Sequence, residues 1–259
     1  MIYITSTAHS QPVGKTGNTE VKTPDHIAFI PDGNRRWAKQ RGLDVIKGHE
    51  AGIELIGEVL KWCKEHNIHT ATFWGFSTEN KNRTNEEVEG LMHLFETKLM
   101  EILQRAQKEK EAGNESKYPK VSIKFYGMID DLPPRLQEYI KRAEKESSKN
   151  GEYRVNFLLN YGGKPEIIDC IHKVAEDYKK GIITEINEEE IMKRLWTGDL
   201  QPPDLIIRTS GEYRLSGLLP LQSAYSELFF VDKYWPDFSK EDFEKILKEY
   251  SKRERRFGK

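Results

Sequence analysis

The sequence predicts an α/β fold built on a mainly parallel sheet flanked by helices. Short apolar runs of strand length alternate with longer stretches of helical periodicity from about residue 26 onward. Clusters of Gly, Asn, Ser and Arg recur just after the strand candidates, on the edge where open α/β sheets collect their ligands. No internal repeat or linker interrupts this pattern, and 259 residues suit one such domain.

Residues 1 to about 23 are rich in Thr, Ser, Gly and Asn without sustained periodicity, and read as a flexible tail. Within them Gly14-Lys15-Thr16 lacks both the upstream glycine and the preceding strand that a phosphate loop requires. That leaves 24–259 as a single catalytic domain. Its first strand is Ile27–Ile30, closed by Pro31. Asp32-Gly33-Asn34 forms a loop, and Arg35-Arg36-Trp37-Ala38 begins a helix. A second helix spans Gly48 to Asn67 with Ile53, Ile56, Leu60 and Cys63 on one face. Thr70–Phe76 reads as a buried strand. A long helix from about Asn85 carries Val88, Leu91, Met92, Phe95, Leu99, Ile102 and Ala106 as one stripe. A charged loop over 108–117 leads to a strand at 120–128. Pro133 and Pro134 open a helix to about Lys149. Strands are expected at 154–160, 205–208 and 228–231, and helices at 164–180, after Asn187, and after Ser239.

Composition excludes several classes. A formal net charge of −1 carries no basic footprint for nucleic acid. Cys63 and Cys170 have neither metal-ligand nor redox spacing. No apolar run approaches the roughly 20 residues that span a bilayer, and the polar N-terminus has no signal-like apolar segment. The expectation is a cytoplasmic protein with at most peripheral membrane contact.

The chemistry concentrates at strand ends. A strand feeding a Gly-containing loop at a helix start presents free N–H groups to an anion, and Gly33 lets the backbone approach closely. Arg35 and Arg36 add charge-assisted forks for a diphosphate, and Asp32 is an acceptor-only group suited to Mg2+. Gly48-His49-Glu50-Ala51-Gly52 offers a histidine near a helix start. Phe76-Ser77-Thr78-Glu79-Asn80-Lys81-Asn82-Arg83 follows the second strand. Arg208-Thr-Ser-Gly-Glu-Tyr-Arg214-Leu215-Ser216 places two arginines and a serine around a glycine turn, a second anion cradle.

His26-Ile-Ala-Phe-Ile-Pro-Asp-Gly-Asn-Arg-Arg-Trp-Ala38 resembles the first signature of the cis-prenyltransferases, the undecaprenyl diphosphate synthase family, and the resemblance runs from about His26 to Gly258. Phe76 to Arg83 is similar to that family's Phe-Ser-x-Glu-Asn-x-x-Arg motif. The resemblance implies a Mg2+-dependent homodimer that condenses an allylic prenyl diphosphate with isopentenyl diphosphate. Asp32, Ser77 and Asn80 would be catalytic. Gly33, Asn34, Arg35, Arg36, Trp37, His49, Ser77, Thr78, Glu79 and Arg83 would bind substrate, with His49 and Arg36 on the allylic diphosphate. Arg208, Arg214, Leu215 and Ser216 would hold the homoallylic diphosphate, and Arg256-Phe257-Gly258 would reach it across the dimer. Glu227 would approach the metal from the partner subunit.

Two positions depart from the family pattern. Val45 stands where members commonly carry arginine, with Lys47 as the nearby cation, and Lys81 stands where many carry an aromatic residue. These departures keep irregular prenyl coupling as an alternative. A non-catalytic subunit of a heteromeric enzyme is another, against which stand the retained Asp32, Asn34, Arg36, Asn80, Arg208 and Arg214. An all-helical trans-prenyltransferase is disfavoured, because Asp130-Asp131 is followed by Leu-Pro-Pro and lacks a third carboxylate. Lys98 on the long helix is expected to face a product tunnel, which predicts short or medium chains.

Overall fold

A computed structural model describes residues 22–111, 121–148 and 151–253. Most of the expected tail, and the terminal Arg256 and Gly258, lie outside the described residues. The strands are β1 His26–Ile30, β2 Thr70–Ser77, β3 Val121–Tyr126, β4 Tyr153–Tyr161, β5 Leu205–Arg208 and β6 Glu227–Phe230. They form one sheet in the order β3-β4-β2-β1-β5-β6, and every pairing is parallel. The helices are α1 Asn34–Gln40, α2 Val45–Glu65, α3 Asn85–Glu111, α4 Pro134–Ser147, α5 Gly163–Lys179, α6 Glu188–Arg194 and α7 Lys240–Ser251. The chain turns to opposite sides of β1 to place β2 and β5, so a crevice opens beyond the carboxyl end of β1.

Burial on both faces explains why β1 reads as an unbroken apolar run. Ile27 and Phe29 face a layer holding Val59, Trp62, Phe243 and Leu247 of α2 and α7. Phe29 stacks on Phe73 with ring centroids 4.9 Å apart. Ala28 and Ile30 face the opposite layer, with Leu158, Ile206, Leu218 and Leu219. The α3 and α4 helices close the β3-β4-β2 end, where Leu136, Ile140 and Ala143 repeat at helical spacing. On α3 the buried stripe ends differently from the expectation. Leu99 and Leu103 are buried, whereas Ile102 and Ala106 are exposed.

One irregularity positions the site. The β2–β4 register shifts between Trp74 and Phe76, leaving Gly75 unpaired. Two residues apart on a regular strand, Trp74 and Phe76 would share a face. The bulge sends them to opposite layers, Trp74 against Leu158 and Phe76 towards α3. A Cβ at Gly75 would lie 2.9 Å from Leu159 Cδ2, so the residue also fits a tight gap.

Two buried polar networks hold the sheet to its loops. At the amino end, His26 Nδ1 lies 2.7 Å from the Gln201 carbonyl and so carries the proton. Its Nε2 then accepts from Thr72 Oγ1 at 2.7 Å. Asn156 Nδ2 donates to the same Thr72 oxygen. Burial is what holds the His26 pKa down at about 4. At the carboxyl end, Glu166 in the first turn of α5 accepts from Tyr161 Oη at 2.6 Å, from the Thr197 amide at 2.9 Å and from Thr197 Oγ1 at 2.6 Å.

Candidate active site

The site is built from the β1–α1 loop outward. Gly33 has φ 104°, the left-handed region, and a Cβ there would lie 2.7 Å from Tyr234 Cδ1 and 3.1 Å from Ser210 Oγ. That conformation turns the chain sharply into α1, with Arg35 and Arg36 in its first turn. The backbone of the loop is pinned as well: the Asp32 carbonyl accepts from the Trp235 amide at 2.9 Å and from Thr209 Oγ1 at 2.7 Å.

Asp32 lies between two guanidinium groups. Arg208 Nη2 donates to Asp32 Oδ2 at 2.9 Å, and Arg36 Nη2 lies 3.3 Å from Oδ1. Arg36 also meets Glu212, which in turn holds Arg214. The result is one row of alternating charge: Arg208, Asp32, Arg36, Glu212, Arg214. Arg208 is buried, with Nη1 donating to the Arg214 carbonyl at 2.5 Å and to Ser216 Oγ at 2.9 Å. Its Nε is buried without a hydrogen-bond partner, as are Ser210 Oγ and Asn34 Oδ1. Ser210 and Ser216 both adopt positive φ, so this loop is wound around the arginine. Leu215 packs beneath it against the sheet.

A second cationic group lies beside the first, centred on Glu87 of α3, which sequence reasoning missed. Its Oε1 lies 3.0 Å from Arg83 Nη1, 3.3 Å from Arg35 Nε and 3.6 Å from His49 Nε2. Its only sequence signal was the i,i+4 spacing from Arg83. His49 is buried, with Nε2 lacking a hydrogen-bond partner. Desolvation first, then the repulsion of Arg83, bring its pKa down to about 4, so it is a neutral imidazole near pH 7. Adjacent α1 residues therefore serve different groups: Arg35 joins His49 and Arg83, while Arg36 joins Asp32.

Several expected roles take a different form. The α2 helix begins at Val45, capped by Asp44 accepting from the Ile46 amide at 2.8 Å, so His49 sits in the second turn. Gly48 and Gly52 admit α1 rather than a phosphate: Cβ atoms there would lie 2.2 Å from the Asn34 carbonyl oxygen and 2.5 Å from Asn34 Oδ1. Lys47, expected to stand in for the arginine missing at Val45, is engaged by Glu50 at 2.7 Å, whereas Arg35 reaches the His49 group. The Trp37 indole donates to Asp237 at 2.7 Å and stacks under Arg41, tying α1 to the 235–237 turn.

After β2, Ser77 caps a 3-10 turn over Thr78–Asn82. Its amide donates to Asn80 Oδ1 at 3.1 Å and its Oγ accepts from the Glu79 amide at 3.1 Å. The Ser77 hydroxyl also donates to the Glu79 carboxylate, as does Thr78. Burial works against the Glu79 charge. The Ser77 hydroxyl, the Glu79 amide, Thr78 and Lys164 outweigh that penalty and lower its pKa. Ser77, Asn80 and the Asp32 row therefore meet at the carboxyl edge of the sheet.

Glu227 does not join them within this chain. It opens β6 level with Leu205, three residues upstream of the Arg208 level. That places it roughly 10 Å back along the strand. Its carboxylate meets Arg253 at 2.5 Å. Among the described residues no three His, Cys, Asp or Glu side chains gather to hold a metal ion. Mg2+ commonly uses one or two carboxylates and completes its shell with substrate phosphates and water, so Asp32 alone still fits that role.

A family model described as putative undecaprenyl diphosphate synthase matches residues 30–258. The chain belongs to the undecaprenyl diphosphate synthase family. It is 42% identical over 246 residues to the tritrans,polycis-undecaprenyl-diphosphate synthase (geranylgeranyl-diphosphate specific) of Thermococcus kodakarensis, covering 94% of this chain and 89% of that protein. An isoprenyl transferase of Thermotoga maritima is 42% identical over 241 residues, covering 92% and 98%. Among solved structures, lavandulyl diphosphate synthase from Lavandula x intermedia in complex with dimethylallyl diphosphate superposes with a TM-score of 0.83. It shares 33% identity and covers 93% of this chain and all of that one. Membership in the undecaprenyl diphosphate synthase family makes the chain a prenyltransferase of the cis-polyprenyl diphosphate synthase type. The six-stranded sheet removes the all-helical trans-prenyltransferase alternative.

Proposed function

We propose that the protein joins an allylic prenyl diphosphate to isopentenyl diphosphate, giving a short- or medium-chain (Z)-polyprenyl diphosphate. The observation that carries this reading is the pair of adjacent groups divided by α1: Arg35, Arg83 and His49 on one side, Arg208 and Arg214 on the other, with Arg36 between them beside Asp32. Two diphosphates held side by side suit transfer between them. The allylic carbon–oxygen bond breaks as pyrophosphate departs onto the first group. The new carbon–carbon bond forms to the alkene of isopentenyl diphosphate on the second, and a proton is then lost near Ser77 and Asn80. Mg2+ held by Asp32, with Glu227 contributed by a partner subunit, would neutralise charge on the diphosphates.

A homodimer follows from the same reading, because Glu227 and Asp32 sit at different levels of one sheet. The α5 helix and the segment joining it to α6 also expose Ile168, Ile171, Ile182 and Ile186 beside an entirely apolar cavity of about 370 Å3 lined by Cys170, Val174, Leu195 and Leu221. A second copy of the chain would cover such a face. No helix among the described residues is long and apolar enough to cross a membrane. A cytoplasmic enzyme, peripheral to the membrane at most, accords with that.

The hydrocarbon tail has a route. A cavity of about 580 Å3 opens between α3 and the start of α4, lined by Phe76, Val88, Met92, Leu132 and Pro133, with Glu96 and His93 among its polar members. Lys98 is not part of that lining, and its ammonium meets Glu101 at 3.2 Å. The limit on chain length is therefore assigned to the polar lining and not to Lys98. Irregular coupling stays as the second reading because of the lavender structure.

Incubation with Mg2+, isopentenyl diphosphate and a panel of allylic diphosphates from dimethylallyl to geranylgeranyl tests all of this. Products are identified by mass and double-bond geometry. Chains with new cis double bonds support head-to-tail condensation, and a branched product from dimethylallyl diphosphate alone would replace it with irregular coupling.

A further inference from the structure

The sheet places β4 between β2 and β3, and the loops beyond those two outer strands meet across its end. Lys81, in the 3-10 turn after β2, sends Nζ to within 3.4 Å of Oδ2 of Asp131, in the 129–131 turn after β3. Beneath them is Asn160 of β4, buried and at φ 49°. Its Nδ2 donates to the Met128 carbonyl at 2.9 Å, which fixes the amide orientation, and its Oδ1 is buried without a partner. All three residues line the 580 Å3 cavity between α3 and α4.

Phe76, Val88, Met92, Leu132, Pro133 and Pro134 supply its apolar wall, and Glu89, His93 and Glu96 of α3 add polar members. It begins at the diphosphate groups, since Phe76 precedes Ser77 and Val88 follows Glu87 in the chain. A tail attached to a diphosphate near His49, Arg83 and Arg35 thus enters a cavity with an apolar wall that one ion pair crosses.

We propose that the Lys81–Asp131 ion pair is the specificity-determining strap that sets how far the hydrocarbon tail can grow. This rests on the prenyl-condensation reading above. Both side chains are about half exposed, 49% and 48%, so each charge keeps water on one side. A half-exposed pair of this kind contributes little to stability, and its loss leaves the fold intact. A tail that lengthens beneath it strips water from two charges and offers them no polar partner in return. The pair also joins the turn after β2 to the turn after β3 across the cavity mouth. Among the polar members of the lining, growth is therefore opposed at the strap.

The test uses the full chain with four variants: Lys81→Met, Asp131→Asn, the double neutralisation, and the charge exchange Lys81→Asp with Asp131→Lys. Product lengths are compared under identical substrate ratios. The neutralised variants should release products longer by one or more isoprene units, and the exchange should return the wild-type distribution. Unchanged lengths in the neutralised variants, or an exchange that behaves like them, would overturn the strap.

Binding supplies a readout independent of turnover. Affinity for unreactive prenyl thiodiphosphates of increasing tail length is followed by tryptophan fluorescence. Longer tails should gain roughly threefold or more in the neutralised variants while the shortest gains nothing. A uniform loss confined to Lys81→Met would make Lys81 a diphosphate ligand and end the proposal. Wild-type protein that binds these tails yet forms no prenyl product would overturn the condensation reading, and the binding series would still decide the strap.

Discussion

Arg208 donates to Asp32 at 2.9 Å across 176 residues of chain, joining the end of β5 to the loop after β1. The guanidinium that would receive a diphosphate is thus already paired with the carboxylate that would meet the metal. Asp32→Ala should lower turnover by three orders of magnitude or more if charge neutralisation dominates the barrier. It should also destabilise the fold, because Arg208 would be left buried without its carboxylate. Asp32→Asn keeps an acceptor for Arg208 and should retain the melting temperature while losing activity. Near-normal Mg2+-dependent turnover by Asp32→Asn would remove Asp32 from the metal role.

The two cationic groups should separate kinetically. Arg208→Ala and Arg214→Ala are expected to raise KM for isopentenyl diphosphate roughly tenfold or more, the larger effect falling on the buried Arg208. His49→Ala and Arg35→Ala should act on the allylic substrate instead. If both pairs weaken the same substrate, the two groups form one subsite.

Gly48 marks where α2 meets α1. A Cβ there would lie 2.2 Å from the Asn34 backbone oxygen, which cannot swing aside. Gly48→Ala should cost roughly 1–3 kcal/mol, read as a fall in denaturant midpoint. Gly57, in the same helix with nothing within 4 Å of a Cβ, is the control. Gly57→Ala should leave stability unchanged or raise it by about 0.5–1 kcal/mol.

Stability should depend on pH through His26. Its folded pKa is about 4 against an ordinary value of 6.5, so the folded state resists protonation that the unfolded chain accepts. Its contribution is fully present above pH 6.5 and is lost as pH falls through that value towards 4, by roughly 3 kcal/mol. Chemical denaturation across that window, repeated on His26→Gln, should show a shallower slope in the variant. Equal slopes would assign the acid sensitivity to other groups.

The apolar face of α5 and α6 gives a test of assembly. Ile168→Glu with Ile171→Glu should yield a monomer by sedimentation. Activity should fall with it, since Glu227 would no longer reach a neighbouring site. A fully active monomer would place every catalytic group in one chain.

The sequence made the arrangement of strands and the motif positions legible because both depend on local chemistry. Apolar runs report burial on two faces, and Gly, Ser and Arg mark where strands end. What escaped depends on neighbours distant in sequence. Glu87 reads as one more acid in the first turn of a charged helix, and only packing shows it holding Arg83 and Arg35. Lys47 seemed the available cation near Val45, yet an i,i+3 partner had claimed it. Gly48 and Gly52 carry the same residue type whether they admit a phosphate or a helix. On α3, period alone could not separate Ile102 from Leu103, and one is exposed while the other is buried.

The bulge at Gly75 divides β2 into two reading frames. Trp74 and Ser77 share one frame with β4, level with Leu158 and Tyr161, and Phe76 alone takes the other, level with Leu159. Deleting Gly75 would bring Phe76 next to Trp74, where ordinary alternation also sends the two to opposite layers, so Phe76 would keep its side. What the deletion would remove is the slack that brings Ser77 back level with Tyr161, and the skipped Asn160 of β4 would be left without a counterpart on β2.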